Sequence, residues 1–221
     1  MSSPPPPRLV LASSSPRRRE LLARLGVEFE ARATDADESP LAGEAPADLV
    51  RRLALAKARA AARPGEAALG ADTVVALGGE ILGKPADDAD ARRMLRRLSG
   101  RVHEVWSGVA IVAAADSGAG RETVQVVRSD VRFRTLSDAE IADYVAGGEP
   151  RDKAGAYAVQ GGAAGFVAAL AGERSNVVGL PLAATARLLA EFGFEVRAEG
   201  RALDVEPPSS AGDETALSRR P

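Results

Sequence analysis

Hydrophobic residues along the 221-residue chain recur with two different periods, and the breaks between them divide most of the chain into strands and helices. The apolar run Leu9-Val10-Leu11-Ala12 predicts a strand over Arg8–Ala12, and Leu21, Leu22 and Leu25 share one face of a helix over Pro16–Leu25 that Gly26 stops. Val50, Leu53, Ala54 and Lys57 form a single stripe on a second helix, Ala47–Ala62, which Pro64-Gly65 ends. Ala67–Leu77 is a strongly apolar strand, and Gly78-Gly79 suits a two-residue hairpin turn into Ile81-Leu82. Asp88–Leu98 is a helix with Met94, Leu95 and Leu98 inward.

Val102–Ala113 and Glu122–Arg134 then read as long antiparallel strands joined by a turn at 116–120. Ser137-Asp138-Ala139-Glu140 has capping-box spacing and begins a helix that runs to Gly147-Gly148. A glycine-rich region (155–165), a strand at Phe166–Leu170, a helix at Pro181–Phe192 and a last strand at Phe194–Arg197 complete the pattern. Helices alternate with strands but hairpins interrupt them, so the expected fold is α/β with a mixed sheet rather than a doubly wound parallel one. The periodic region predicts one domain over 8–200. The proline leader 1–7 and the tail 201–221, where periodicity is gone by Glu206, read as unordered.

Composition narrows the chemistry. There is no cysteine, which removes disulfides, thiol catalysis and cysteine–zinc sites, and a single histidine rules out a multi-histidine metal site. His103 lies in an alternating strand with no nucleophile elbow nearby and reads as a structural residue. Carboxylates, lysines, arginines, hydroxyls and amides remain, a set suited to phosphate chemistry with a hard cation. The net charge of −2 gives no global field toward nucleic acid or anionic lipid, so any polyanion must be met by a local basic cluster. The leader has no apolar h-region and no run is long enough to span a bilayer, which makes the cytoplasm the expected compartment.

Six local features stand out against the apolar pattern. Ser13-Ser14-Ser15-Pro16-Arg17-Arg18-Arg19 puts a capping hydroxyl, an N1 proline and three cations at a helix N-terminus, where the dipole disfavours cations unless an anion joins them. Lys57 falls on a face that should be buried; it either snorkels at the stripe's edge or meets a buried partner. Asp72 is the one carboxylate inside Leu69–Leu77, and needs a cation, donors or a metal. Lys84, in Gly83-Lys84-Pro85, stands directly after the hairpin, and Asp35-Ala36-Asp37-Glu38 offers hard oxygen ligands in a loop. In Asp152–Gly162, Gln160 carries both a donor and an acceptor among backbone-freeing glycines.

In order, ASSSPRRRELL, DADE, LALAKA, GADTVV, LGKP, LSGRVHEVWSGVAI, DKAGAYAVQG and NVVGLPL resemble the Maf family of nucleoside triphosphate pyrophosphatases over residues 8–198. The resemblance implies a mixed α/β fold of two lobes around a deep central cleft, like that of inosine triphosphate pyrophosphatases, in a homodimer. It implies hydrolysis of a nucleoside triphosphate to the monophosphate and pyrophosphate with a divalent cation, Mg²⁺ or Mn²⁺. By motif position Asp72 takes the place of the catalytic proton acceptor and, with Glu38, of a metal ligand. Ser13, Arg17, Arg18, Lys57 and Lys84 take the places of triphosphate-binding residues. Arg17, Thr73 and Gln160 stand at positions that divide the family by substrate and match its dTTP/UTP branch, whereas the 7-methyl-GTP branch tends to an aromatic at the first. Trp106-Ser107, Ala158 and Gly172–Ser175 depart from the usual family pattern. A pyrophosphatase for modified nucleotides and a non-catalytic regulator of septum formation are the rival readings.

Overall fold

The computed structural model describes residues 7–114, 120–197 and 205–206. Its elements in chain order are β1 (Arg8–Leu11), α1 (Pro16–Ala23), β2 (Glu30–Ala31), α2 (Pro46–Ala61), β3 (Glu66–Leu77), β4 (Glu80–Leu82), α3 (Asp88–Leu98), β5 (Val102–Ala113), β6 (Arg121–Phe133), α4 (Asp138–Ala146), β7 (Val167–Glu173), α5 (Arg174–Val178), α6 (Leu182–Glu191) and β8 (Val205–Glu206), with three 3₁₀ turns between α4 and β7. The strands form one mixed sheet of order β2-β1-β3-β5-β6-β7-β8, with β4 paired to β3. β1 runs parallel to both β2 and β3, while β3 through β8 pair antiparallel. This is the mixed α/β architecture that the alternating pattern predicts.

Two apolar cores share the length of the same central strands. Leu9, Leu22, Leu69, Ile111 and Leu188 belong to one, packed under α1 and α6. Leu95, Val105, Phe133, Ile141 and Phe166 belong to the other, under α3 and α4. β3 passes from the first core at Ala71 to the second at Val75, and β5 does so between Val109 and Val105. Thr73 and Ser107, polar and on the same face of these strands, fall at the handover, while Asp72 lies on the other face and meets Lys57 of α2.

α2 lies unusually close to the sheet, and two glycines allow it. A Cβ on Gly70 would sit 2.2 Å from the carbonyl oxygen of Ala54, and one on Gly108 would sit 2.1 Å from that of Val50. No other residue fits at either position without moving the helix backbone. The stripe on α2 thereby buries Val50, Leu53, Ala54 and Lys57 together against β3 and β5.

The hairpin at Gly78-Gly79 has φ of 61° and 85°, the paired positive values of a type I′ turn. The capping box at Ser137 and Glu140 is formed in both directions. Three expectations are corrected. Phe194–Arg197 is not a strand: it is an irregular segment tied to the fold by Phe194 N–H donating to Leu189 O at 3.0 Å and Arg197 N–H donating to Leu25 O at 2.9 Å. Val205–Glu206, inside the expected unordered tail, pairs with β7 at Glu173 and Gly172. α5 and β2, which carry no periodic signal in so few residues, were not predicted at all. The rest of the tail, residues 1–6 of the leader and most of the 116–120 turn lie outside the described residues.

Candidate active site

A cleft of about 690 Å³ is lined by nine of the residues singled out in the sequence, Ser13, Arg17, Arg18, Glu38, Lys57, Asp72, Thr73, Lys84 and Gln160, while Arg19, the third cation of the helix start, lies outside it with its Nη2 3.5 Å from Ser14 O. The lining residues come from seven stretches of chain, one of them the loop between β2 and α2 that holds Glu38. The end of β1 delivers Ser13, the first turn of α1 delivers Arg17 and Arg18, and α2 delivers Lys57. β3 carries Asp72 and Thr73, the segment after β4 carries Lys84, and the 3₁₀ region before β7 carries Gln160. Of the acidic run 35–38, Glu38 faces the cleft, while Asp37 turns back to accept from the Ser39 N–H at 2.9 Å.

At the floor, Lys57 Nζ lies 2.6 Å from Asp72 Oδ1 and 2.6 Å from Glu38 Oε1. Lys57 and Asp72 are buried and Glu38 is exposed, so one ammonium ties a buried carboxylate to an exposed one. Lys84 Nζ approaches the other Glu38 oxygen at 3.6 Å. Burial works to raise the pKa of Glu38, but the hydrogen bond from Lys57 and the charges of Lys57, Lys84 and Arg18 outweigh it, and the carboxyl is held below its ordinary value. Both carboxylates are thus turned toward one point, the Lys57 ammonium.

On the opposite wall, Ser15 caps α1 by accepting from Arg18 N, and Pro16 occupies its first turn. The Arg18 guanidinium is half-buried in the cleft wall. Burial pushes its pKa down, against the pull of Asp72 and Glu38, yet an arginine stays charged wherever the protein folds. Its Nε donates to Gly179 O at 2.9 Å and Nη1 reaches Ser13 Oγ at 3.5 Å. Those anchors leave further N–H donors aimed away from Gly179, in a fork that fits phosphate oxygens. Arg17, half-buried beside Arg18, makes no ion pair among the described residues, although its charge reaches Asp152.

Sequence reasoning missed several lining residues. Lys153, paired with Asp152, adds a cation on the Gln160 side. Tyr157 presents its ring to the cleft while its hydroxyl meets His103 Nε2 at 2.8 Å in the core. Burial pushes His103 down to about 4, so it is neutral at physiological pH and serves as a strut, as its strand position suggests. Gly179, with φ of 129°, turns its carbonyl into the cleft wall as an acceptor. Lys153 and Tyr157 lie in the flagged stretch 152–162 but carried no individual signal, because their roles depend on neighbours far along the chain.

The donor set suits a hard divalent cation. Glu38 and Asp72 give two converging carboxylates, and no cluster of three or more metal-ligating side chains occurs among the described residues. One or two carboxylates completed by phosphate oxygens and water is the way Mg²⁺ is commonly held in phosphoryl-transfer sites.

A mixed sheet whose central strand brings Asp72 against the buried Lys57 of α2, at the floor of a cation-walled cleft, defines a site for an anionic, phosphate-bearing ligand. The family described as Maf-like protein matches residues 8–192, and the chain belongs to it. Over 176 residues it is 58% identical to a dTTP/UTP pyrophosphatase of Anaeromyxobacter dehalogenans, covering 80% of this chain and 89% of that protein. It is 50% identical over 180 residues to a dTTP/UTP pyrophosphatase of Symbiobacterium thermophilum, covering 80% of this chain and 90% of the relative. Among solved structures it is similar to a HAM1 protein from Coxiella burnetii, at 19% identity and a TM-score of 0.42 over 83% of this chain and 98% of that one.

Proposed function

We infer that the protein hydrolyses dTTP and UTP to the nucleoside monophosphate and pyrophosphate. What carries the reading is identity of 50–58% over most of the chain with proteins named dTTP/UTP pyrophosphatases. The cleft supplies chemistry consistent with it. A water attacks the α-phosphorus, the bond from that phosphorus to the bridging oxygen breaks, and pyrophosphate leaves with the electron pair. Asp72 accepts the proton of the attacking water, its carboxylate held in place by Lys57. Arg17, Arg18, Ser13, Lys57 and Lys84 bind the triphosphate and neutralise the charge that grows on the leaving group. Thr73 and Gln160 contact the nucleoside part. Glu38 and Asp72 would hold a divalent cation, Mg²⁺ or Mn²⁺, which would draw charge from the phosphate oxygens. The same reading includes a homodimer working in the cytoplasm, for which sedimentation and cell fractionation are the checks.

The decisive assay incubates purified protein with Mg²⁺ or Mn²⁺ and a panel of nucleotides, and separates pyrophosphate from orthophosphate. Pyrophosphate from dTTP and UTP is expected. Orthophosphate alone would mean cleavage at the γ-phosphate and a different reaction, and a preference for 7-methyl-GTP would move the protein to the other substrate class.

A further inference from the structure

Behind the cleft wall lies a chain of hydroxyls that the reaction itself does not use. Thr73 and Ser107 are cross-strand partners on β3 and β5, one step from the Asp72–Gly108 pair. Their oxygens are 2.7 Å apart, and Ser107 is wholly buried. Ser107 Oγ is also 3.2 Å from the backbone oxygen of Asn176, and Thr73 Oγ1 is 3.4 Å from Gly179 O. Each hydroxyl owns one hydrogen, so the contacts permit only two consistent arrangements.

In the first, Thr73 donates to Ser107 and Ser107 donates to Asn176 O. In the second, Ser107 donates to Thr73 and Thr73 donates to Gly179 O. The second uses the longest of the contacts and crowds a carbonyl that already accepts from Arg18 Nε at 2.9 Å. It also leaves the buried Ser107 oxygen accepting nothing. The first uses 2.7 and 3.2 Å contacts and lets Ser107 both give and accept. Its terminus is rigid. Asn176 is fully buried, and its side-chain amide donates to Val105 O and to Ser129 Oγ, each at 3.0 Å, which pins the residue whose carbonyl ends the chain.

We propose that Ser107 is a positioning residue that draws the Thr73 hydrogen away from the cleft, so that Thr73 meets the ligand only as a hydrogen-bond acceptor. At that point the cleft selects a ligand N–H or O–H and disfavours a ligand carbonyl or an unprotonated ring nitrogen. This rests on the cleft binding a nucleoside triphosphate. In uridine and thymidine triphosphates two donors fit: the base N3–H, which cytosine lacks, and the sugar 3′-hydroxyl.

The test is a double-mutant cycle of Ser107→Ala and Thr73→Val, read as UTP dissociation constant by calorimetry and as KM and kcat. Each single change is expected to weaken UTP binding about fivefold to tenfold, the scale of one hydrogen bond, mostly in KM. With Thr73→Val already present, Ser107→Ala is expected to add less than about twofold. Equal losses in both backgrounds, as a packing or folding role would give, overturn the proposal. So does a harmless Ser107→Ala beside a damaging Thr73→Val. UTP methylated at N3 and 3′-deoxy-UTP identify the donor: the analogue that has lost it binds the wild type as weakly as UTP binds the Ser107→Ala protein. If both bind like UTP, the acceptor role is wrong. A wild type that neither binds nor cleaves UTP would instead sink the functional reading before the cycle begins.

Discussion

β3 carries two buried carboxylates, Glu66 at its start and Asp72 at its centre, and the protein treats them in opposite ways. Glu66 is gripped by Arg32 through two bonds, Nη1 to Oε2 at 2.8 Å and Nη2 to Oε1 at 3.2 Å, and by Arg8 at 3.2 Å. Arg32 also donates to Ala61 O at 2.7 Å, so both sides of the pair are satisfied. Asp72 has a single lysine, which it shares with Glu38, and it faces an open cleft. A planar guanidinium fork closes a site, whereas an ammonium is a point charge on a flexible stem and can trade partners. A buried charge with every bond made belongs to the fold. One whose partner is shared and whose remaining lone pairs face a cleft is available for chemistry.

The contrast breaks most sharply at Asp72 itself. Asp72→Asn keeps the shape but removes the base, and turnover is expected to fall by about a thousandfold while nucleotide binding persists. Undiminished pyrophosphate release by this variant would return Asp72 to the same structural class as Glu66. Next in size is Gly108→Ala. Its Cβ would collide with the backbone of α2, the helix that brings Lys57 to Asp72. The expected results are a destabilisation of about 1–3 kcal/mol and, from the displaced lysine, about a hundredfold loss of kcat/KM. Urea titration and steady-state kinetics read the two separately.

Glu66→Gln reverses the pattern. It leaves two arginines facing a neutral amide, and the thermal midpoint is expected to drop by on the order of 10 °C while kcat at 25 °C stays within about twofold. The acid limb of stability carries the same signature. The hydrogen bond from Arg32, working against burial and aided by the charges of Arg32, Arg8 and Arg63, holds the Glu66 carboxyl below its ordinary value. A depressed folded pKa means that the contribution is complete above the unfolded value, about 4.3, and fades as pH falls through the folded one. The wild type should lose stability over that acid range, and Glu66→Gln should show a shallower loss there. Parallel curves would remove Glu66 from the account of acid unfolding.

Much of this was legible in the sequence, and the remainder had a physical reason to be hidden. Strands and helices long enough to show their period appear within a residue or two of their predicted bounds, as at Asp88–Leu98 and Val102–Ala113. Lys57 and Asp72 were visible because a charge inside an apolar stripe demands an explanation, and their pairing answers both demands. Glu66 was invisible because at a strand end it looks like any exposed glutamate. Gly70 and Gly108 carry no local sign of the helix they admit, and their meaning exists only across elements. The five-residue α5 and the irregular Phe194–Arg197 are set by tertiary bonds rather than periodicity, which is why one was missed and the other misread.

The smallest expected effect separates two neighbours that look equivalent in the sequence. Arg18 is tied to Gly179 O and Ser13, so its guanidinium is committed to one orientation, as Arg32 is to Glu66. Arg17 has no such anchor among the described residues, stands half-buried, and interacts by charge with Asp152 and with Arg18 itself. By the logic of the two carboxylates, the free partner is the one that answers to the ligand. Being partly exposed, it is worth little more than a surface ion pair, about 1 kcal/mol at most, or roughly fivefold in kcat/KM for UTP. Arg17→Ala is therefore expected to cost about that much with UTP and less with 7-methyl-GTP, narrowing the ratio between them, while leaving the thermal midpoint unchanged. The ratio is the measurement that matters. If Arg17→Ala lowers kcat/KM for both nucleotides equally, Arg17 serves the triphosphate alone and has no part in choosing the base.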